Sequence, residues 1–185
     1  MRKPVFVFLT LCMLIYPFAV AWALSQGQWL WLSAGLMLVA LLRYFLNPDT
    51  LFAPLTLLAL FCGGLSLLLK DSFWLKFYPV LMSLGSFVIF AMTLKYPPSM
   101  IERFARLHQD DFPESARQWT KRVTQVWCGF FIINALIALV TVLFASNQIW
   151  AVYNGFISYL LMGVLLLGEW VLRKRHQARH MADLS

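Results

Sequence analysis

The chain has 185 residues, of which 61% are hydrophobic and 12% charged, and its formal net charge is +7 at pH 7. Soluble domains are about 45–50% apolar and about 25% charged, so this composition excludes an ordinary water-soluble domain. A bilayer can cover this much apolar surface. The excess of bases therefore indicates membrane topology first, and nucleic acid is not an expected partner.

Six apolar stretches are long enough to cross a membrane, because about 20 helical residues span about 30 Å of hydrocarbon. They predict an all-α polytopic membrane protein with one membrane domain. The predicted spans are residues 5–24, 29–46, 51–69, 74–94, 123–146 and 150–172. A signal peptide is the alternative for the first stretch, which ends near an A-x-A sequence, but the stretch exceeds the usual apolar length of roughly 7–15 residues.

The distribution of bases predicts the orientation. With the N-terminus in the cytoplasm, thirteen of the fifteen Lys and Arg residues fall on the cytoplasmic side, and only Lys70 and Lys76 fall outside. Cytoplasmic loops of membrane proteins carry such an excess of bases. We therefore expect both termini, including the tail at 173–185, to lie in the cytoplasm.

The one long polar interval, residues 95–122, is predicted to be a cytoplasmic loop and carries six of the bases. Ser99 and Glu102 form a capping-box pattern that predicts the start of a short helix. Helical spacing predicts an apolar side made of Met100, Ile101, Phe104 and Leu107. The expected element is an amphipathic helix within the loop.

Four bases of this interval are candidate contacts for lipid or for a soluble partner: Arg103, Arg106, Lys121 and Arg122. A basic amphipathic helix can lie in the membrane interface, with its bases against anionic headgroups. Membrane lipids are therefore expected partners. The alternative is a loop that only sets topology and supplies a short packing helix.

No catalytic, cofactor-binding or metal-binding residue is assigned, because no GxSxG, HExxH, Walker or dinucleotide-binding motif occurs. Three acids are interpreted as part of a solvated turn rather than a metal site: Asp110, Asp111 and Glu114. The cysteines lack metal-binding spacing and are predicted to be small buried residues. They are Cys12, Cys62 and Cys128.

Few polar side chains fall inside the predicted spans, and each is a candidate site residue because such residues are costly in lipid. Asn134 and Asn154 are expected to make hydrogen bonds between helices. Glu169 is expected to pair with Arg43 or with Arg173, the latter at the i,i+4 spacing that favours an ion pair. A proton or ligand site at Glu169 is the alternative.

Several segments resemble an uncharacterised family of bacterial inner-membrane proteins encoded with fatty-acid-like and aryl-polyene biosynthesis genes. The resemblance rests on residues 97–106 (PPSMIERFAR), 120–131 (TKRVTQVWCGFF), 153–155 (YNG) and 168–173 (GEWVLR), with Asn134 and Trp150. It implies a role in envelope-lipid or polyene synthesis, with an acyl carrier protein or synthase enzymes as partners. It implies no reaction, so an accessory role is favoured over an enzyme.

A more distant set of segments is similar to the intracellular septation protein A family of inner-membrane proteins. These segments are residues 43–44 (RY), 63–65 (GGL), 76–79 (KFYP), 98–103 (PSMIER) and 119–131. That resemblance implies the same helical architecture and a structural role in the envelope. A small lipid or solute transporter is the third possibility. Neither the substrate nor the oligomeric state follows from the sequence.

Overall fold

The computed structural model describes residues 53–106 and 114–182, without the side chains of 114, 115 and 173–182, together with isolated positions between 22 and 41. All regular secondary structure in these ranges is helical. The helices are α1 (Ala53–Leu69), α2 (Ser72–Lys95), α3 (Met100–Arg106), α4 (Glu114–Phe144), α5 (Asn147–Val152), a π-helical turn (Tyr153–Ile157) and α6 (Ser158–Ala182).

Within the described residues, three helical stretches are long and apolar enough to cross a membrane: Ser72–Lys95, Ala116–Phe144 and Asn147–Leu172. They coincide with the last three predicted spans, which confirms the membrane class. Helix α1 is apolar but shorter and covers most of the third predicted span. The predicted spans at 5–24 and 29–46 lie largely outside the described residues.

The helix ends follow from capping side chains. Lys70 ends α1 with φ 51°, in the left-handed region that commonly closes a helix. Asp71 then caps α2, and its Oδ1 accepts a hydrogen bond from the Phe73 amide at 2.9 Å. Ser146 caps α5 through a hydrogen bond from the Ile149 amide to its Oγ at 3.3 Å. These two turns lie at the same end of the bundle.

The polar interval is more helical than its sequence predicted. Helix α4 begins at Glu114, whereas the predicted span began at residue 123. A single helix therefore continues from the interval into the apolar stretch. The first turns contain Glu, Ala, Arg and Gln, which are good helix formers, and nothing there breaks the helix. The interval thus supplies the polar start of a spanning helix as well as a short helix of its own.

Two groups of buried side chains hold α2 against α4, the most extensive helix pair. One is Leu75, Val80, Ala138, Val142, Trp150 and Ala151. The other is Leu55, Ile89, Phe90, Met100, Val123, Trp127, Cys128 and Phe131. As expected, Cys62 and Cys128 are buried and unbridged, whereas Cys12 is outside the described residues.

Helix α1 approaches α2 closely at Gly85. A Cβ on this residue would lie 2.7 Å from Leu55 Cδ2, so the glycine makes room for the leucine. Small residues allow this kind of close contact between membrane helices. Helix α6, in contrast, leaves most of its apolar side chains exposed, as is typical of a helix surrounded by lipid.

Candidate functional site

Two regions of the molecule carry the polar candidates, and they lie towards opposite ends of α2. We call them the basic end and the polar cleft. The basic end consists of residues 95–106 and 116–122, where α2 finishes, α3 follows and α4 begins. The polar cleft lies nearer the Ser72 end, between α2, α4 and the segment from Trp150 to Met162.

At the basic end, α3 is docked on α4 by a buried methionine and a threonine. Met100 is fully buried in the second core group. Thr124 is also fully buried, and its Oγ accepts a hydrogen bond from the Ile101 amide at 3.3 Å. The same hydroxyl donates to the Thr120 carbonyl at 2.8 Å. The predicted loop helix therefore exists and is packed against the bundle.

The predicted apolar side of α3 is divided in the structure. Met100 is fully buried, whereas Phe104 is 41% exposed, and Glu102 is buried with Met100 at 6% exposure. The predicted cap is not made by the Ser99 side chain, whose hydroxyl is buried and has no hydrogen-bond partner among the described residues. Two guanidinium groups compensate the buried carboxylate of Glu102.

Glu102 is the centre of a three-residue ion cluster. Its Oε1 lies 2.6 Å from Arg106 Nη2 and 3.0 Å from Arg106 Nε, which gives a hydrogen-bonded i,i+4 pair within α3. Arg117 Nε of α4 is 3.7 Å from the same oxygen. The carboxylate thus links α3 to α4 electrostatically. This cluster was not predicted, because Arg117 was not among the candidates.

Of the four candidate bases, two are hydrogen-bonded within the protein and two are exposed. Arg106 binds Glu102, and Arg103 donates from Nε to the Pro98 carbonyl at 3.0 Å, which braces the turn after α2. Lys121 and Arg122 are exposed on the first turns of α4. Within the described ranges, neither makes a hydrogen bond or ion pair. These last two are the bases available to a partner.

The polar cleft has a volume of about 230 Å³. Its polar lining consists of serine, asparagine and tyrosine side chains, and none of the described residues that line it is charged. The lining residues used below are Ser83, Ser86, Asn134, Trp150, Asn154 and Ser158. Aromatic and methionine side chains from α2, α4 and α6 complete the walls.

Asn134 joins three elements inside the membrane stretch. Its Nδ2 donates to Ser83 Oγ on α2 at 3.0 Å, and its Oδ1 accepts from the Tyr153 hydroxyl at 3.0 Å. The side chain is 6% exposed. The expected bonds between helices are therefore present. The partners Ser83 and Tyr153 were not predicted.

Asn154 lies in the π-helical turn, a feature that is often found at functional sites. Its Nδ2 donates to Thr141 Oγ at 3.0 Å and to the Trp150 carbonyl at 2.9 Å. Its Oδ1 is buried and has no hydrogen-bond partner among the described residues. The expected hydrogen bond to another helix is again present, but one buried acceptor is left unsatisfied.

Both arginines that were predicted to pair with Glu169 lie at positions whose side chains are outside the described residues. They are Arg43 and Arg173, whereas Glu169 itself is half-buried on α6. The turn with Asp110 and Asp111 also lies outside them. Among the side chains that are described, no three His, Cys, Asp or Glu residues come together to hold a metal ion.

Comparison with models of known protein families, with curated proteins and with solved structures gives no match. The class of protein is therefore defined by the fold alone. The chain is an α-helical protein with helices suited to crossing a membrane, a basic end and an uncharged polar cleft.

Proposed function

We propose that this protein is an accessory component of envelope-lipid or aryl-polyene synthesis in a bacterial inner membrane, and that its basic end docks soluble acidic partners. The proposal includes six membrane spans with both termini in the cytoplasm. Acyl carrier protein and synthase enzymes are the partners implied by the sequence resemblance. The supporting structural observation is the exposed pair Lys121 and Arg122 beside a firmly packed α3.

A fixed platform makes a better docking surface than a mobile loop, because less conformational entropy is lost on binding. Met100, Glu102 and Thr124 hold α3 in place. The first turns of α4 then hold Lys121 and Arg122 in fixed positions, just before the predicted span at 123–146. Acyl carrier proteins are typically acidic, and opposite charge speeds encounter and selects partners.

Reversal of the two exposed charges tests this function. We expect the Lys121→Glu, Arg122→Glu double variant to bind purified acyl carrier protein at least about tenfold more weakly than the parent protein at low salt. Binding by the parent should weaken as salt rises, because exposed charges are screened. Affinity is measured in detergent or nanodiscs at low and high ionic strength.

Lys70→Glu is the matched control, since Lys70 is an exposed base at the other end of α2. It makes the same charge change as each substitution in the pair and should leave the affinity unchanged. Salt-independent binding, or equal loss in the control and the double variant, would contradict docking at the basic end. Absence of any binding by the parent protein would contradict the carrier-protein partner itself.

A second candidate function is the handling of a lipid or small solute. The polar cleft favours it, because hydrogen-bonding side chains surround an open space within the apolar part of the bundle. This function would not require the basic end. The two candidates are therefore separable by variants that change only one of the two regions.

A further inference from the structure

The cleft lies beside the middle of α2, somewhat nearer its Ser72 end. On α2 it is lined from Tyr78 to Ser86. At a rise of 1.5 Å per residue, these positions lie about 9 to about 21 Å from the helix start at Ser72. The cleft therefore extends about 12 Å along α2, and Trp150 is part of its lining.

The lining indicates what kind of molecule fits. Among the described residues, no Lys, Arg, Asp or Glu side chain lines the space, so an ion would find no compensating charge from them for its lost hydration. Phe130, Phe131 and Met162 offer apolar walls, whereas Asn154 and Ser158 offer hydrogen bonds. A neutral amphiphile matches both kinds of surface.

The hydrogen bonds around the cleft indicate which kind of ligand group is missing. Ser158 Oγ already donates to the Asn154 carbonyl at 3.1 Å, and Asn154 Nδ2 already donates to two acceptors. The Asn154 Oδ1 atom accepts nothing from the described residues. A buried acceptor without a partner costs free energy, so the group that is missing from this site is a donor.

We propose that the cleft binds a neutral hydroxyl-bearing lipid, of the monoacylglycerol type, and that a small shift of the lining on binding lets a ligand hydroxyl donate to the buried Asn154 Oδ1. The volume of about 230 Å³ is below the range of roughly 300–1,000 Å³ that holds a whole drug-sized ligand. The cleft therefore holds the glycerol head and the first part of the chain, and the rest of the chain lies in the bilayer. The site is independent of the docking function.

Photocrosslinking in phosphatidylcholine nanodiscs tests the site. The probe is a monoacylglycerol with a photoreactive diazirine in its acyl chain. The same acyl chain as a methyl ester lacks the hydroxyls, and the same chain as a free fatty acid carries a charge. We expect saturable labelling of residues 78–86 and 150–162 by the monoacylglycerol, about fivefold stronger than by either analogue.

Two variants and one control assign the labelling to the cleft. Ser86 lines the cleft and makes no hydrogen bond among the described residues, so Ser86→Phe should fill it and remove the labelling. Val88 lies on the same helix with 49% of its surface exposed, and Val88→Phe should have no effect. Asn154→Leu should remove the preference for the monoacylglycerol over its methyl ester.

Separate results would contradict the site itself and the role of Asn154. Equal labelling by all three probes, or equal loss in Ser86→Phe and Val88→Phe, would overturn the site. Labelling confined to the cleft with no preference for hydroxyls would overturn the role of Asn154. If Asn154→Leu fails to fold, the probe comparison and the Ser86→Phe variant still decide the proposal.

Discussion

Replacing Trp127 with alanine is expected to lower the free energy of unfolding by about 3–5 kcal/mol, the usual cost of removing a large buried aromatic side chain. Trp127 is 6% exposed and packs between α2 and α4. Its ring centroid lies 5.7 Å from that of Phe131 and 6.3 Å from that of Phe90. Unfolding is measured in detergent with increasing sodium dodecyl sulfate.

The companion substitution Trp127→Phe should cost much less, because the Trp127 indole Nε1 has no hydrogen-bond partner among the described residues. Only volume is lost, and no hydrogen bond is broken. Val126→Ala is the control. Val126 is the neighbouring residue in α4 and is 56% exposed, so this substitution should change the free energy of unfolding little. A Trp127→Ala variant as stable as the Val126→Ala variant would show that this aromatic group does not hold α2 to α4.

Glu102→Ala is expected to destabilise the docking of α3 by about 2 kcal/mol. Removing one partner of a buried ion pair costs about 3–5 kcal/mol, and the figure is reduced here because the two arginine side chains are 40% and 48% exposed. Two guanidinium groups would remain close together without the carboxylate between them. The loss should be read from unfolding in detergent at low salt.

The matched variant is Arg106→Met, which keeps an unbranched apolar stem and removes the charge. It should cost less than Glu102→Ala, because Arg117 remains 3.7 Å from the carboxylate and can still neutralise it. If Arg106→Met proves the more damaging of the two, the carboxylate is not the centre of the cluster. The Glu102→Ala variant should also weaken acyl carrier protein binding if docking requires a fixed α3.

The helices of the apolar stretches were predictable because length and hydropathy decide whether a segment can cross a membrane. The end of α2 was also predictable, since two prolines follow it at 97 and 98. The start of α4 was not. Glu114 follows a proline in a polar interval, where a loop was predicted. The structure instead has one helix that continues from Glu114 into the apolar stretch, with α3 packed on it.

The candidate site was predictable in its residues but not in its contacts. Asn134 and Asn154 were identified because amides are rare in apolar spans. Their partners Ser83, Tyr153 and Thr141 come from other turns or helices, and no local pattern indicates such pairs. The π-helical turn that places Asn154 beside the cleft likewise has no sequence signature.

The burial of Glu102 at the basic end was likewise not predictable from the local sequence. A carboxylate among bases in a polar interval is ordinarily solvated. Its burial is accompanied by Arg117, which belongs to the next helix and lies 3.7 Å from the carboxylate in the packed structure. Contacts between helices therefore decide which bases are held in ion pairs and which, such as Lys121, remain exposed to a partner.

The central claim is that the basic end faces the cytoplasm, and cysteine accessibility in intact cells tests it most directly. Lys121→Cys and, separately, Lys70→Cys are introduced into a chain in which Cys12, Cys62 and Cys128 are replaced by serine. After the outer membrane is permeabilised, a membrane-impermeant maleimide should label the variant at position 70 and spare the variant at position 121 until the inner membrane is lysed. Labelling of position 121 before lysis would contradict the account.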